Sequence, residues 1–349
     1  MTQLCVAALT IMMAVGLISS ARIGAADQVP SRIEDGSETS SFVPGQTQSG
    51  ADPQSKEPKV SVSTGERTER TDGRIHSFYA VAKQDYINGF PEEFYEDCPE
   101  QGTVSVVYAE DENGNRCASP ICVYTPCGYE DSADMRCNVV FLLSGSGGTM
   151  YNWLVDKLDN MTGNRLFDWL ISTRRARPFI AVSVNMDSYD GVHYSRAEYH
   201  DLAERIERYD LPYIVRTYRT YAASADASDL AAAKEHFMIV GVSQGAICLS
   251  DVALDPNHYL GKCFGNIVLM SNYVSGGTVS QRFGDSDSKL FFADGGRADS
   301  NRGGSPHDIM NGYKRFDNLK TAKYFEFESG HRWYTWFRGI AAVLQIAMK

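Results

Sequence analysis

Short apolar runs and longer amphipathic stretches alternate along most of this chain. The runs predict β-strands near residues 104–109, 120–125, 138–143, 179–185, 237–242, 265–270, 288–293 and 322–327. Apolar positions at helical spacing predict helices near residues 163–173, 195–220, 244–253, 309–318 and 333–347. Strands that alternate with helices are typical of an α/β fold with a mainly parallel central sheet and helices on both faces. The first two strands are predicted to form an antiparallel hairpin.

This pattern is absent near the N-terminus. Residues 4–18 are apolar and small residues follow them, so residues 1–26 are predicted to be a signal peptide, with an uncleaved anchor as the alternative. Residues 27–75 are rich in Ser, Thr, Gly, Pro, Gln and charge, and we expect a disordered linker or pro-segment there. Residues 76–349 are left as one folded domain of the α/β-hydrolase type, long enough to bury a sizeable core.

Charge and cysteine content narrow the class of protein. The formal net charge is −11, which disfavours a nucleic-acid partner, because phosphate binding needs a basic surface. After signal removal we expect no membrane span and a secreted protein, in which the seven remaining cysteines favour disulfides. Zinc is the rival interpretation for the cysteines at 117, 122, 127 and 137, but their spacing lacks a C-x-x-C pair. We therefore expect no metal and no cofactor.

Two glycine-rich turns carry the candidate chemistry. Residues 241–245 read Gly-Val-Ser-Gln-Gly between an apolar run and a stretch of small and apolar residues. In that setting G-x-S-x-G predicts a nucleophile elbow, a sharp strand-to-helix turn that exposes the hydroxyl of Ser243. Residues 144–148 form a second turn, after the run at 138–143. Such a turn donates one backbone N–H to an oxyanion hole, and the residue after the serine, Gln244, donates the other.

A general base and an acid follow in the expected chain order. His331 lies just past the last predicted strand, where this fold places its base, and His307 is a weaker rival. The acid follows the strand near 288–293, where Asp299 and Asp294 both qualify. It would hold the imidazole in the correct tautomer and stabilise its positive form.

These motifs make the chain resemble carbohydrate esterase family one, the esterase D-like family of feruloyl and acetylxylan esterases in the α/β-hydrolase superfamily. The resemblance covers roughly residues 100 to 340. It rests on five sequence blocks, at residues 101–104, 142–148 with Trp153, 241–245, 291–295 and 330–336.

The resemblance implies a nucleophile at Ser243, a base at His331, an acid at Asp299, and oxyanion donors at the N–H groups of Gln244 and Ser146. The chain departs from the family at three points. Ser144 stands where a histidine is usual, Gln244 stands where methionine is frequent, and Asp299 comes one residue later than the family's acid.

Aromatic residues flank the motifs. Tyr151, Trp153 and Trp333 are predicted to form a wall for a sugar or cinnamoyl group, with a role in the core as the alternative. Trp336 falls at helical spacing from Trp333, which favours the core for Trp336.

Three functions fit these predictions. The first is a secreted serine esterase that cleaves acylated plant polysaccharide or oligosaccharide through an acyl-enzyme. The elbow, acid and base motivate the chemistry, whereas the substrate class comes from the resemblance alone. The second is an acyltransferase of the same fold. The third is a non-catalytic binding protein that retains the fold.

Overall fold

Each apolar run predicted as a strand forms one, with ends that agree within two residues. The computed structural model describes residues 62–64, 68–69, 75–81, 90, 94, 98–186, 195–271, 287–295, 299, 321–327 and 329–348. The strands are β1 (Val62–Thr64), β2 (Thr68–Glu69), β3 (Ile75–Val81), β4 (Thr103–Val107), β5 (Ile121–Thr125), β6 (Asn138–Leu143), β7 (Phe179–Val184), β8 (Phe237–Val242), β9 (Asn266–Met270), β10 (Lys289–Asp294) and β11 (Thr321–Glu326).

The helices of the described ranges follow the predicted pattern, apart from two short ones at 227–232 and 260–263 that were not predicted. They are α1 (Gly163–Ser172), α2 (Arg196–Arg205), α3 (Leu211–Thr217), α4 (Ala227–Ala232), α5 (Gln244–Val252), α6 (Leu260–Cys263) and α7 (Trp333–Ala347). A π-helical segment, Ile206–Asp210, joins α2 to α3, and a 3₁₀ turn, Lys234–His236, leads into β8. The single helix predicted at 195–220 is therefore two α-helices joined through a wider turn.

The strands form one sheet in the order β1-β3-β11-β10-β9-β8-β6-β7-β5-β4, with β2 paired to β3. Neighbours from β3 to β7 in this order are parallel. The β4–β5 hairpin at one edge is antiparallel, as the sequence predicted, and β5 also runs antiparallel to β7. The α/β fold with a mainly parallel sheet is thus confirmed.

Both faces of the sheet are buried, which explains why the central strands are apolar at most positions. In β6, Val139, Phe141 and Leu143 point into one hydrophobic layer, and Val140 and Leu142 point into the other. Helices α2, α3, α5 and α6 cover the first layer, and α1 and α7 cover the second. Fully burying a side chain such as Phe141 contributes about 1.5–3 kcal/mol, so this sheet is a rigid platform for the loops at its edge.

The sheet starts earlier than the sequence pattern indicates. β1 and β2 lie within residues 27–75, which were predicted to be a linker, and both pair antiparallel with β3. β3 in turn adds in parallel to β11. Ladder hydrogen bonds of an edge hairpin need little apolar sequence, so hydrophobic periodicity gives no signal for these short strands.

The seven described cysteines have free thiols, which corrects the prediction of disulfides among them. The layering of the core gives a physical reason. Cys122 lies in one hydrophobic layer, whereas Cys137, Cys248 and Cys263 lie in the other, across the sheet. Burial raises the pKa of Cys122 to about 11 and that of Cys137 to about 12, so these thiols stay protonated and act as small apolar side chains.

Several predictions fall on residues outside the described ranges. These are the signal peptide, most of the linker, the helix near 309–318 and His307. Within the described ranges no helix is long and apolar enough to cross a membrane, and no cluster of three or more His, Cys, Asp or Glu side chains is arranged to bind a metal ion.

Candidate active site

Ser243 lies in a strained turn between β8 and α5. Its backbone has φ 52° and ψ −114°, a conformation that costs a non-glycine residue of order 1–3 kcal/mol. Both flanking residues must be glycine, because the backbone around the turn leaves no room for a Cβ at either position. A Cβ on Gly241 would lie 2.4 Å from the carbonyl oxygen of Gly245, and a Cβ on Gly245 would lie 2.6 Å from that of Ser144. The five-residue motif therefore folds as the sharp elbow that its pattern predicts.

The register of the sheet gathers the candidate residues at one edge. Val242 is level with Met270, and Met270 is level with Ala293, so β8, β9 and β10 end side by side. Ser243 and Ser271 each follow their strand directly. In open α/β sheets, ligands bind at this carboxyl edge.

Ser243, His331 and Asp299 form a connected chain of contacts. The Oγ of Ser243 lies 3.1 Å from Nε2 of His331, and Nδ1 of His331 lies 2.9 Å from Oδ1 of Asp299. The Asp299 side chain is fully buried, while that of His331 is 23 % exposed. Of the two acids left open by the sequence, Asp299 is the one in contact with His331; Asp294 is buried at the end of β10. This arrangement can deprotonate the serine hydroxyl and stabilise the resulting imidazolium.

The far oxygen of Asp299 is held by donors that include Ser271 and Gly295. Oδ2 accepts a hydrogen bond of 2.5 Å from the Ser271 hydroxyl and one of 3.1 Å from the Gly295 N–H. The indole N–H of Trp336 donates to Ser271 Oγ over 2.9 Å. The sequence placed Trp336 in the core, where it lies, but gave no sign of Ser271, because only its position after the neighbouring strand brings it to the acid.

The loop that carries His331 is tied to α7 and to β10. The Thr335 hydroxyl donates to the Gly330 carbonyl over 2.5 Å and lies 2.7 Å from the Ser329 hydroxyl. Gly330 has φ 79°, which favours glycine, and its N–H donates to the Gly295 carbonyl over 3.1 Å. These contacts fix the backbone directly before the imidazole.

A carboxylate far away in sequence holds the other side of the same loop. Asp159 accepts a bidentate pair of hydrogen bonds from Arg332, of 3.0 and 2.5 Å, and a third of 2.9 Å from the backbone N–H of Tyr334 in the first turn of α7. The Arg332 hydrogen bond holds the pKa of Asp159 below its usual value. Asp159 thus caps α7 while it clamps the residue next to His331. The sequence gave no signal for this contact.

The second glycine-rich turn packs directly against the serine. A Cβ on Gly145 would lie 3.3 Å from the Ser243 Cβ, and the Ser144 carbonyl accepts a 3.0 Å hydrogen bond from the Gly245 N–H. Ser146 is exposed in this turn. The turn therefore borders the space that a carbonyl attacked by Ser243 would occupy, as an oxyanion hole requires.

Gln244 is the first residue of α5, so its backbone N–H has no partner within the helix. Its side chain is held away from this N–H by donating to the hydroxyl of Tyr199 on α2. Burial raises the pKa of Tyr199 to about 12, so the phenol stays neutral and can accept that bond. The polar side chain that departs from the family pattern is thus accounted for by a partner on a neighbouring helix.

The predicted aromatic wall is only partly present. Trp153 is fully buried and packs edge-to-face on Trp333 and Phe337 at 5.1 and 5.8 Å, so it belongs to the core and the prediction of a substrate contact there is corrected. Trp333 is half-buried and Tyr151 is 39 % exposed. These two aromatic side chains remain available to a ligand.

Comparison with known proteins gives no match by sequence but several matches by structure. No protein-family model matches the chain. No curated protein matches it either.

Solved structures do match. A serine-to-alanine mutant of the feruloyl esterase module from Clostridium thermocellum, complexed with sinapinate, aligns with a TM-score of 0.59 and 16% identity over 73% of this chain and 91% of that one. A protein named FAE aligns with a TM-score of 0.57 and 19% identity over 73% and 91%. A CE1 ferulic acid esterase from Anaeromyces mucronatus, in complex with ferulic acid, aligns with a TM-score of 0.53 and 15% identity over 74% and 97%. At these identities the likeness establishes a shared α/β-hydrolase fold.

Proposed function

We propose that this chain is a serine carboxylic-ester hydrolase with Ser243 as nucleophile, His331 as general base and Asp299 as the acid that orients it. The observation that carries the proposal is the unbroken set of contacts from the Ser243 hydroxyl through the imidazole to a buried carboxylate. The strained elbow adds support, because a non-glycine residue adopts such a backbone only where the surrounding structure enforces it.

The proposed reaction uses these contacts in turn. His331 Nε2 takes the hydroxyl proton as Ser243 Oγ attacks the ester carbonyl, and the carbonyl π electrons move onto oxygen. The N–H groups of Gln244 and Ser146 donate to that oxyanion, each contributing about 3 kcal/mol by analogy with other acyl-transfer enzymes. The C–O bond to the alcohol then breaks, and His331 returns its proton to the leaving alkoxide. Water, deprotonated by the same imidazole, hydrolyses the acyl-enzyme and restores the serine.

The proposed substrates are feruloyl or acetyl esters of plant polysaccharide, cleaved outside the cell. Support for this class comes from the five sequence blocks shared with carbohydrate esterase family one and from solved structures of like fold that are named as feruloyl or ferulic acid esterases. Tyr151 and Trp333 are proposed to contact the acyl or sugar ring, because aromatic faces stack on planar or apolar groups. The predicted signal at residues 1–26 supports export.

The test is release of acetate and of ferulate from matched acylated xylan fragments by wild type and by Ser243→Ala. Serine-dependent release of either acid is the expected result, and it also names the acyl preference. If transfer to an added alcohol outcompetes water, the chain is an acyltransferase. If folded wild type releases neither acid and no other ester is cleaved, the protein is not an esterase.

A further inference from the structure

Ser271 has features that hydrophobic packing does not require. It lies directly after β9 and is fully buried, with φ 50°, in the left-handed region that non-glycine residues seldom adopt. A glycine would adopt this backbone without the steric cost. Its backbone N–H donates to the Ala293 carbonyl over 2.8 Å, which locks the strained residue between β9 and β10.

The direction of the hydrogen bonds around Ser271 is fixed by chemistry. An indole N–H can only donate, so the Ser271 oxygen must accept from Trp336 over 2.9 Å. A serine hydroxyl carries one proton, and an ionised carboxylate only accepts. The Ser271 proton therefore points at Asp299 Oδ2, 2.5 Å away, and no rotation of the hydroxyl satisfies both neighbours in another way.

The same tryptophan also contacts the base. Its ring packs edge-to-face on the His331 imidazole, with centroids 5.1 Å apart and an interplanar angle of 87°. Trp336 thus touches His331 with its ring and directs Ser271 toward Asp299 with its N–H. The buried Trp336 side chain therefore contacts the base directly and the acid through Ser271.

We propose that Ser271 is a positioning residue for Asp299, held in its donating orientation by Trp336. Resting on the proposed function, this assignment extends the three-residue chain of contacts by a serine and a tryptophan. Ser271 donates to the oxygen that does not face His331, which leaves Oδ1 aimed at the imidazole Nδ1. Without that donor the buried carboxylate loses its 2.5 Å hydrogen bond on the far oxygen and is held less firmly toward the histidine.

The test compares Ser271→Ala with Ser288→Ala. Both changes delete a buried serine hydroxyl next to the end of a strand, but Ser288 Oγ lies 3.2 Å from the Gly261 carbonyl oxygen and 2.9 Å from that of Phe264, at the opposite end of β10. Ser271→Ala is expected to lower kcat/KM about tenfold, the effect of one lost hydrogen bond to a charged group. Ser288→Ala should leave kcat/KM within about twofold of wild type, with melting temperatures recorded for both.

A second variant keeps the assignment testable if Ser271→Ala does not fold. Trp336→Phe keeps an aromatic side chain beside His331 and removes the indole N–H together with the second ring, so kcat/KM is expected to fall about threefold. Wild-type kcat/KM in Trp336→Phe would overturn the role of the indole N–H, whether or not Ser271→Ala folds. Where Ser271→Ala does fold, the Trp336→Phe change should add little to it in the double variant, because the indole N–H acts through the hydroxyl. Fully additive losses would mean that Trp336 acts independently and would overturn this part of the assignment.

A readout without substrate separates this assignment from the proposed function. The proton on His331 Nδ1, shared with Asp299, should give a downfield proton resonance in wild type and in Ser288→Ala. We expect it to broaden or vanish in folded Ser271→Ala, because the loosened carboxylate lets that proton exchange with water. An unchanged resonance together with wild-type kcat/KM would overturn the role of Ser271. If wild type shows no serine-dependent hydrolysis, the proposed function fails and the resonance still decides the position of Asp299.

Discussion

The two halves of the proposed catalytic triad are held at the same sheet edge by different means. Ser243 is positioned locally, by five consecutive residues whose glycines let β8 turn straight into α5. Asp299 and His331 are positioned at long range, by side chains from the end of β9, from residue 159 and from α7. A nucleophile can therefore be encoded in a contiguous motif, whereas the placement of an acid and a base beside it depends on the assembled fold.

Removing the base should produce the largest loss. His331→Gln leaves the elbow intact but takes away the group that accepts the serine proton, so kcat should fall by roughly 10⁴-fold or more. The measurement is the rate of aryl acetate hydrolysis at saturating substrate. His236→Gln is the control, since His236 contacts Asn138 and stacks on Tyr221 away from the site. Comparable losses in both variants would show that His331 is not the base.

The second-largest effect is expected from a change in the elbow that holds Ser243. Gly245→Ala places a Cβ 2.6 Å from the Ser144 carbonyl oxygen, so the elbow must shift. We expect a loss of about 3 kcal/mol in the free energy of unfolding and a drop in kcat of roughly 100-fold or more. Gly128→Ala is the control: its φ is 74° and open space surrounds it, so about 1 kcal/mol of strain is expected with activity retained. Equal activity in the two variants would contradict a strained elbow.

A change in the long-range contacts that hold the His331 loop should have a smaller effect on activity. Asp159→Asn weakens the clamp on Arg332 and the cap on α7, so the His331 loop loosens while the serine stays in place. We expect kcat/KM to fall about tenfold and the free energy of unfolding to fall by about 1 kcal/mol. Asp134→Asn, an exposed aspartate on a distant turn, should change neither quantity. If the two variants behave alike in urea unfolding and in steady-state kinetics, Asp159 does not position the loop.

The smallest expected effect is the pH dependence of the stability contributed by the contact between Asp159 and Arg332. The pKa of Asp159 is lower in the folded protein than its usual value of about 3.9, mainly because Arg332 donates to it. The stabilisation is therefore fully present above about pH 4 and is lost as the pH falls through the lowered value. The difference in melting temperature between wild type and Asp159→Asn should be constant from pH 5 to 7 and shrink below pH 4. A difference that grows on acidification would contradict this sign.

The sequence predicted much of the fold because its strands are buried on both faces. Continuous apolar runs such as 138–143 and 237–242 are unambiguous, and the elbow motif marks the sheet edge where the chemistry lies. Ser243, His331 and Asp299 could be named because each follows a recognisable strand. The choice between Asp294 and Asp299 required the structure, since it depends on which carboxylate reaches the imidazole.

What the sequence did not reveal depends on contacts between distant segments. Ser271 lies 28 residues before Asp299 and Asp159 lies 173 residues before Arg332, and neither has a local pattern. Trp153 was misassigned for the same reason: its position after the glycine-rich turn fits a substrate wall equally well, until α7 is seen to cover it. Cys122 and Cys137 are close in sequence but lie in different hydrophobic layers, on opposite faces of the sheet, which the sequence spacing does not reveal.

The most direct test of the central claim is labelling with a fluorophosphonate, followed by peptide mass spectrometry. An activated serine attacks this reagent, whereas an ordinary hydroxyl does not. We expect one adduct, on the peptide that contains Ser243, formed by folded wild type and absent from Ser243→Ala, from His331→Gln and from denatured protein. Folded wild type that takes up no label, or a label that persists in Ser243→Ala, would contradict the assignment of Ser243 as an activated nucleophile.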